Sequence, residues 1–339
     1  MSTQRTAVVF PGQGAQRQGM AADFVASYAR ARAVFEEASD VLGFDVKAVC
    51  HGDDPRLHLT AFTQPCILTA EIAMFEVLRH DHGFAPSLFA GHSLGEYTAL
   101  VAAGAIPLRV ALSLVHLRGT LMQRAVPPGL GAMVALCMPE LPATAIAQAA
   151  RTHQVDIAND NSPAQIVLSG QRDGVEKAVA SLKDLTRQGM RTVWLNVSAP
   201  FHSRLMAPVE APLREAMRDT AHTWVGERAT AVASNYLGDF HSVDVDAIID
   251  ALSRQISGSV RWNDNMRVLL RRTPDGHIPE VFEVGPNKPL RGFFASLGVS
   301  VRCIVDMRTA NRAFATDDRT ATGQPQEGCV GGKTAKESP

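Results

Sequence analysis

Phe84-Ala85-Pro86-Ser87-Leu88-Phe89-Ala90 runs directly into Gly91-His92-Ser93-Leu94-Gly95, and an alanine-rich segment follows to about residue 104. A short apolar run closed by glycine reads as a buried strand, here Phe84 to Ala90, and the alanine-rich segment reads as a helix. G-x-S-x-G between a strand and a helix meets the structural context of a nucleophile elbow. Its glycines permit a tight turn, the turn presents the Ser93 hydroxyl, and the helix N-terminus favours developing negative charge. The plain alternative is an ordinary strand-to-helix turn with Ser93 as its N-cap.

On the N-terminal side, Thr6 to Phe10 is a β-branched apolar strand closed by Pro11-Gly12-Gln13-Gly14, with helical patterns at 21–42 and 64–80. A further helix covers 107–124 before Pro127-Pro128-Gly129 breaks the chain. The next segment changes character. Gly131–Met138 reads as strand, Pro139–Thr152 as helix and Gln154–Ala158 as strand. Asp160-Asn161-Ser162-Pro163 turns into strand Gln165–Ser169, followed by helix 173–188 and strand Arg191–Val197. Strand, helix, strand, strand, helix, strand is the split βαβ, ferredoxin-like order, and its roughly 70 residues suit a compact insert. Beyond Pro200 come helix 204–219, strand 229–234, helix 244–256 and strand Glu280–Val284. The expected organisation is a discontinuous large α/β subdomain (1–128 and 199–315), a ferredoxin-like small subdomain (129–198) and a disordered tail (316–339) poor in apolar residues. No internal repeat is present.

Composition limits the partners. The 339 residues are 46% apolar and 20% charged, and 33 Lys plus Arg against 34 Asp plus Glu leave a net charge of −1. There is no basic surplus for nucleic acid, and any cationic patch has to be local. Cys50, Cys66, Cys137, Cys303 and Cys329 are scattered without a C-x-x-C pair, against a disulfide scaffold or zinc ribbon. The N-terminal apolar run is only Ala7-Val8-Val9-Phe10, shorter than the about 7–15 residues of a signal-peptide core. Leu100–Ile106 lies in a segment carrying His92, Glu96 and Arg109, which suits a buried helix and no membrane span. The expectation is a soluble cytoplasmic protein.

A nucleophilic serine needs a base, and histidine serves near neutral pH. His202, in Ala199-Pro200-Phe201-His202-Ser203, follows a strand where the insert rejoins the main body, so it would face the cleft between the lobes; a packed loop histidine is the alternative. Gly12-x-Gly14 has Arg17 where G-x-G-x-x-G needs its third glycine, and no Walker A sequence occurs. Cys50, His51, Asp53, Asp54 and His58 lack metal-site spacing and read as a polar surface loop, so no metal is expected. His80 and His82 suit a helix end.

Gly12-Gln13-Gly14-Ala15-Gln16, Gly91-His92-Ser93-Leu94-Gly95-Glu96-Tyr97, Arg118, Ala199-Pro200-Phe201-His202-Ser203 and Glu283-Val284-Gly285-Pro286 follow one another in this order. Together they closely resemble malonyl-CoA:acyl carrier protein transacylases and the acyltransferases of polyketide synthases, over roughly residues 5–310. The resemblance implies an α/β-hydrolase-like large subdomain with the ferredoxin-like insert. It implies that Ser93 is acylated, that His202 acts as base and then acid, and that Gln255 orients the histidine. Backbone N–H groups of Gln13 and Leu94 would form the oxyanion hole. Arg118 would clamp the malonyl carboxylate, a task that suits guanidinium geometry. Phe201 matches the malonyl-type motif, where an aromatic ring narrows the room beside an α-methyl group. His92, Met122 and Asn161 would line the pocket.

The implied enzyme is an acyl-carrier-protein S-malonyltransferase of fatty acid or polyketide biosynthesis. It would act as a monomer without cofactor, taking malonyl-CoA and passing malonyl to the phosphopantetheine thiol of a carrier protein on another chain. An acyl hydrolase editing carrier proteins is the main alternative, and Arg118 argues against it because an unpaired buried guanidinium is costly. A docking subunit with a vestigial site fits poorly with Ser93, His202, Arg118 and Gln13 together. A generic esterase would want an acid between Ser and His, and Asp156 and Asp184 both fall inside the insert.

Overall fold

The computed structural model describes residues 5–271 and 277–315. Its strands are β1 (Thr6–Phe10), β2 (Leu88–Gly91), β3 (Gly131–Cys137), β4 (Asp156–Ser162), β5 (Gln165–Gln171), β6 (Arg191–Trp194), β7 (Glu280–Val284) and β8 (Val301–Ile304). They form two sheets. One is parallel, ordered β2-β1-β7-β8, and the other is antiparallel, ordered β4-β5-β3-β6.

In the parallel sheet, alternation along each strand feeds two separate cores. Val8, Phe10, Phe89, Phe282 and Val284 face one, and Ala7, Val9, Leu88, Ala90 and Val281 face the other. A sheet buried on both faces needs such continuous apolar strands, which is why they stand out in the sequence. The first core is filled largely by helix Thr60–Asp81, buried along most of its length. This helix is long and apolar enough to cross a membrane, yet 89% of its most apolar window is buried inside the protein, as expected of a core helix.

The antiparallel sheet carries its own helices on one face. Ala132, Val134, Leu136, Ile166 and Leu168 pack against helices Ala143–Thr152 and Arg172–Ser181. The alternate residues Met133, Ala135 and Val167 turn the other way, toward the large core and the cleft. The two chain crossings between the units lie side by side, because a Cβ on Gly131 would collide with the ring of Pro200. Arg204 also pairs with Asp156 of β4 at 2.7 Å.

Several boundaries differ from the sequence expectations. The strand expected over Phe84–Ala90 begins only at Leu88, because Pro86 has no N–H for a ladder. The expected turn Asp160-Asn161-Ser162-Pro163 is strand through Ser162, with two register shifts against β5. These irregularities let polar residues occupy a strand facing the cleft. The helix expected over 173–188 is two helices, Arg172–Ser181 and Lys183–Arg187, and helix 21–42 is divided at the extended Tyr28.

No strand spans 229–234. Gly226–Ala229 is a helical turn, and only single bridges Phe89↔Val232 and Ala233↔Phe240 follow it. The sequence pattern does not single out helix Trp262–Leu269 and helix Met307–Phe314, which are short and rich in charged or polar residues, nor β8, which is only four residues long. The tail expectation at 316–339 lies outside the described residues.

Candidate active site

Ser93 sits where β2 ends and helix Gly95–Ala102 begins, and it holds φ at +54°. Non-glycine residues adopt this left-handed region only under surrounding constraint, and an exposed nucleophile is one reason to maintain it. The turn closes because its glycines have no Cβ: one on Gly91 would run into the backbone of Gly95, and one on Gly95 into the carbonyl of Phe10. A bond from the Ser93 N–H to Asn235 Oδ1 at 2.6 Å fastens the turn from below.

His202 reaches Ser93 from the other crossing, and its φ of +55° is equally unusual. Its Nε2 lies 2.7 Å from Ser93 Oγ and its Nδ1 lies 2.8 Å from the main-chain carbonyl of Gln255. A carbonyl can only accept, so Nδ1 carries the proton and Nε2 presents a lone pair to the hydroxyl. Burial, and then the positive charge of Arg118, push the His202 pKa down to about 3. The imidazole is therefore neutral at working pH, the state a general base requires.

Gln255 holds the histidine through its backbone carbonyl, which leaves its side chain free for other work. Its side-chain amide nitrogen donates to the Ser93 carbonyl at 2.9 Å and to Glu96 at 2.8 Å, and its side-chain oxygen accepts from Arg118 at 2.8 Å. Arg118, only 1% exposed, also donates to Ser93 Oγ at 3.0 Å and to Gln64 at 2.8 Å. Its buried Nε has no hydrogen-bond partner among the described residues.

The other expected residues gather around one cavity of about 650 Å³, lined by Gln13, His92, Ser93, Arg118, Met122 and Asn161 among others. Phe201 and His202 also line it. His92 Nε2 meets Asn161 Oδ1 at 2.7 Å, which joins the elbow to the antiparallel sheet across the cleft. Burial pushes the His92 pKa down as well. The Leu94 and Gln13 N–H groups have no hydrogen-bond partner among the described residues. The Gln13 side chain donates to Thr60 Oγ1 at 3.1 Å.

Cys50, His51 and Asp53 do not converge. His51 bonds the Met20 carbonyl and Cys50 is buried, and no metal-holding group of His, Cys, Asp or Glu assembles among the described residues. The sequence gives no sign of Gln64, Asn235, His241 or Asn265, whose Oδ1 accepts from Asn235 Nδ2 at 2.9 Å. They lie in segments without motif character, and only three-dimensional convergence reveals them.

The fold and this site define an acyltransferase, and the acyl transferase domain family matches residues 7–266. The malonyl CoA-acyl carrier protein transacylase of Escherichia coli (strain K12) is 38% identical over 308 residues, covering 90% of this chain and 94% of that protein. Among solved structures, a malonyl-CoA:acyl carrier protein transacylase from Xanthomonas oryzae pv. oryzae is 36% identical. Its TM-score is 0.83, over 93% of this chain and 98% of that one. A type II polyketide synthase acyl-carrier protein in complex with its malonyl-transacylase gives 34% identity and a TM-score of 0.79, over 91% and 99%. The chain belongs to the malonyl CoA-acyl carrier protein transacylase family.

Proposed function

We propose that this protein moves a malonyl group from malonyl-CoA to the phosphopantetheine thiol of an acyl carrier protein, in fatty acid or polyketide biosynthesis. One observation carries the reading: Ser93 Oγ is bonded at once to a neutral histidine at 2.7 Å and to a buried guanidinium at 3.0 Å. A nucleophile beside a fixed cation suits an acyl donor whose far end is a carboxylate.

In the first half-reaction Arg118 binds the malonyl carboxylate and His202 Nε2 takes the Ser93 proton as Oγ attacks the thioester carbon. The oxyanion gathers on the free N–H groups of Leu94 and Gln13. The C–S bond breaks, His202 returns its proton to the CoA sulfur, and malonyl-serine remains. The carrier thiol then reverses these steps, giving ping-pong kinetics. Met122, Phe201, His92 and Asn161 shape the acyl pocket, and the Phe201 ring crowds an α-methyl group. In this reading the enzyme acts as a monomer, and the Ser-His acyl transfer asks for no metal or cofactor. A cytoplasmic location accords with this substrate pair.

The architecture that supports this reading is an α/β-hydrolase-like large subdomain, 1–128 with 199–315, carrying a ferredoxin-like insert at 129–198. The adjacent crossings at Gly131 and Pro200 and the βαββαβ order of the antiparallel unit favour that division. The test is competition between malonyl-CoA and acetyl-CoA for loading of the wild type and Arg118→Ala. We expect malonyl loading to fall by at least about a hundredfold and acetyl loading far less. Equal loss of both contradicts the clamp.

A further inference from the structure

Arg118 is buried, yet no carboxylate pairs with it directly among the described residues; its partners are the side-chain oxygens of Gln64, Gln255 and Ser93. A buried cation without a counter-charge is strongly disfavoured, so the compensating anion has to stand further back. Glu96 is in that place. It is 0% exposed, in the first turn of the helix that follows Ser93. Its Oε2 accepts from Gln255 Nε2 at 2.8 Å and from the Asn235 N–H at 3.0 Å, and its Oε1 meets His241 Nε2 at 2.8 Å. Gln255 thus spans two opposite charges, its nitrogen on Glu96 and its oxygen on Arg118.

We infer that Glu96 is the standing counter-charge of Arg118, relayed through Gln255, and that it sets how strongly the site favours an anionic acyl group. This deepens the proposed function and rests on Arg118 as the carboxylate clamp. Arg118 and Glu96 stand as opposite charges at the two ends of the Gln255 amide, with His241 on the far side of Glu96. A malonyl carboxylate entering it must share Arg118 with Glu96, which tempers its binding. Neutralising Glu96 leaves the guanidinium without that counter-charge, so the incoming carboxylate compensates it alone and is held harder. Glu96 also acts mechanically. By holding the Gln255 amide it fixes the amide's second bond to the Ser93 carbonyl, and through the Asn235 N–H it steadies the residue that receives the Ser93 N–H. Glu96 is a positioning residue, since it touches neither the cavity nor the reacting atoms.

Glu96→Gln separates charge from geometry. The replacement amide oxygen still accepts from Gln255 and Asn235, and its nitrogen can donate to His241, whose Nδ1 has no partner among the described residues and can carry the ring proton instead. The expected result is a malonyl-CoA KM about tenfold lower, inhibition by free malonate tightened by a similar factor, and an unchanged acetyl-CoA KM. In an Arg118→Gln background the same change should leave the malonyl-to-acetyl ratio unaltered, because the cation it acts on is gone. Melting by far-UV circular dichroism adds a readout independent of activity: the Glu96→Gln, Arg118→Gln double variant should melt above either single variant. If Glu96→Gln does not fold, recovery of folding in the double variant supports charge pairing and failure to recover overturns it. A parallel change in malonyl and acetyl KM also overturns it, as does a double variant no more stable than the singles. If Arg118→Gln itself leaves the malonyl preference intact, the clamp reading fails instead, which distinguishes the two.

Discussion

His202 carries the chemistry because of where its proton sits. With Nδ1–H committed to the Gln255 carbonyl, Nε2 is left to receive the Ser93 proton. Burial and Arg118 hold its pKa down to about 3, so the base is already neutral across the physiological range. The sign follows directly: acylation should stay level as pH falls from about 8 to about 5, and decline only as pH approaches the histidine's value. Single-turnover acylation by malonyl-CoA across that range checks this, and a half-maximal point near 6.5 would contradict it. Arg118→Gln removes the second-largest of the depressing influences, so the acid limb should move to higher pH in that variant.

The elbow joins β2 to helix Gly95–Ala102 through a residue forced into left-handed backbone. Ser93→Ala and Ser93→Gly both delete the hydroxyl, but only glycine accepts that conformation freely. The glycine variant should therefore be more stable than the alanine variant by about 1 kcal/mol, read as the difference in their denaturant midpoints. Gly95→Ala should destabilise by about 3 kcal/mol or more, because its methyl meets the Phe10 carbonyl across the β1 loop. Much of this element-level structure is legible in the sequence. β1, β2 and β7 are apolar runs closed by Gly or Pro, and Gly91–Gly95 marks the elbow. The stretch 229–234 misleads because Val232 and Ala233 are apolar for packing, while the backbone around them folds as turns and single bridges. Asn235, His241 and Gln64 are invisible beforehand because single polar residues acquire roles only when remote segments converge.

Across the whole molecule, the two sheets set the cleft, and two acids are buried in the large unit, Glu283 on β7 and Glu71 on helix Thr60–Asp81. Burial pushes the Glu283 pKa from its ordinary 4.5 up to about 7, and pushes Glu71 up as well. The folded state holds these protons more tightly than the unfolded chain does, so their contribution to stability is lost as pH rises. For Glu283 the loss runs from about pH 4.5 to about pH 7 and amounts to about 3 kcal/mol. Glu283→Gln should flatten the fall in melting temperature over that interval; an unchanged slope would contradict the assignment.

The central claim is that one chain accepts malonyl on Ser93 and hands it to a carrier. Intact-mass analysis of the protein mixed with malonyl-CoA, then with phosphopantetheinylated carrier protein, follows both halves in one experiment. The account predicts a single malonyl adduct on the wild type, none on Ser93→Ala, and quantitative movement of that mass to the carrier. An adduct that survives Ser93→Ala, or one released to water and never found on the carrier, would contradict it.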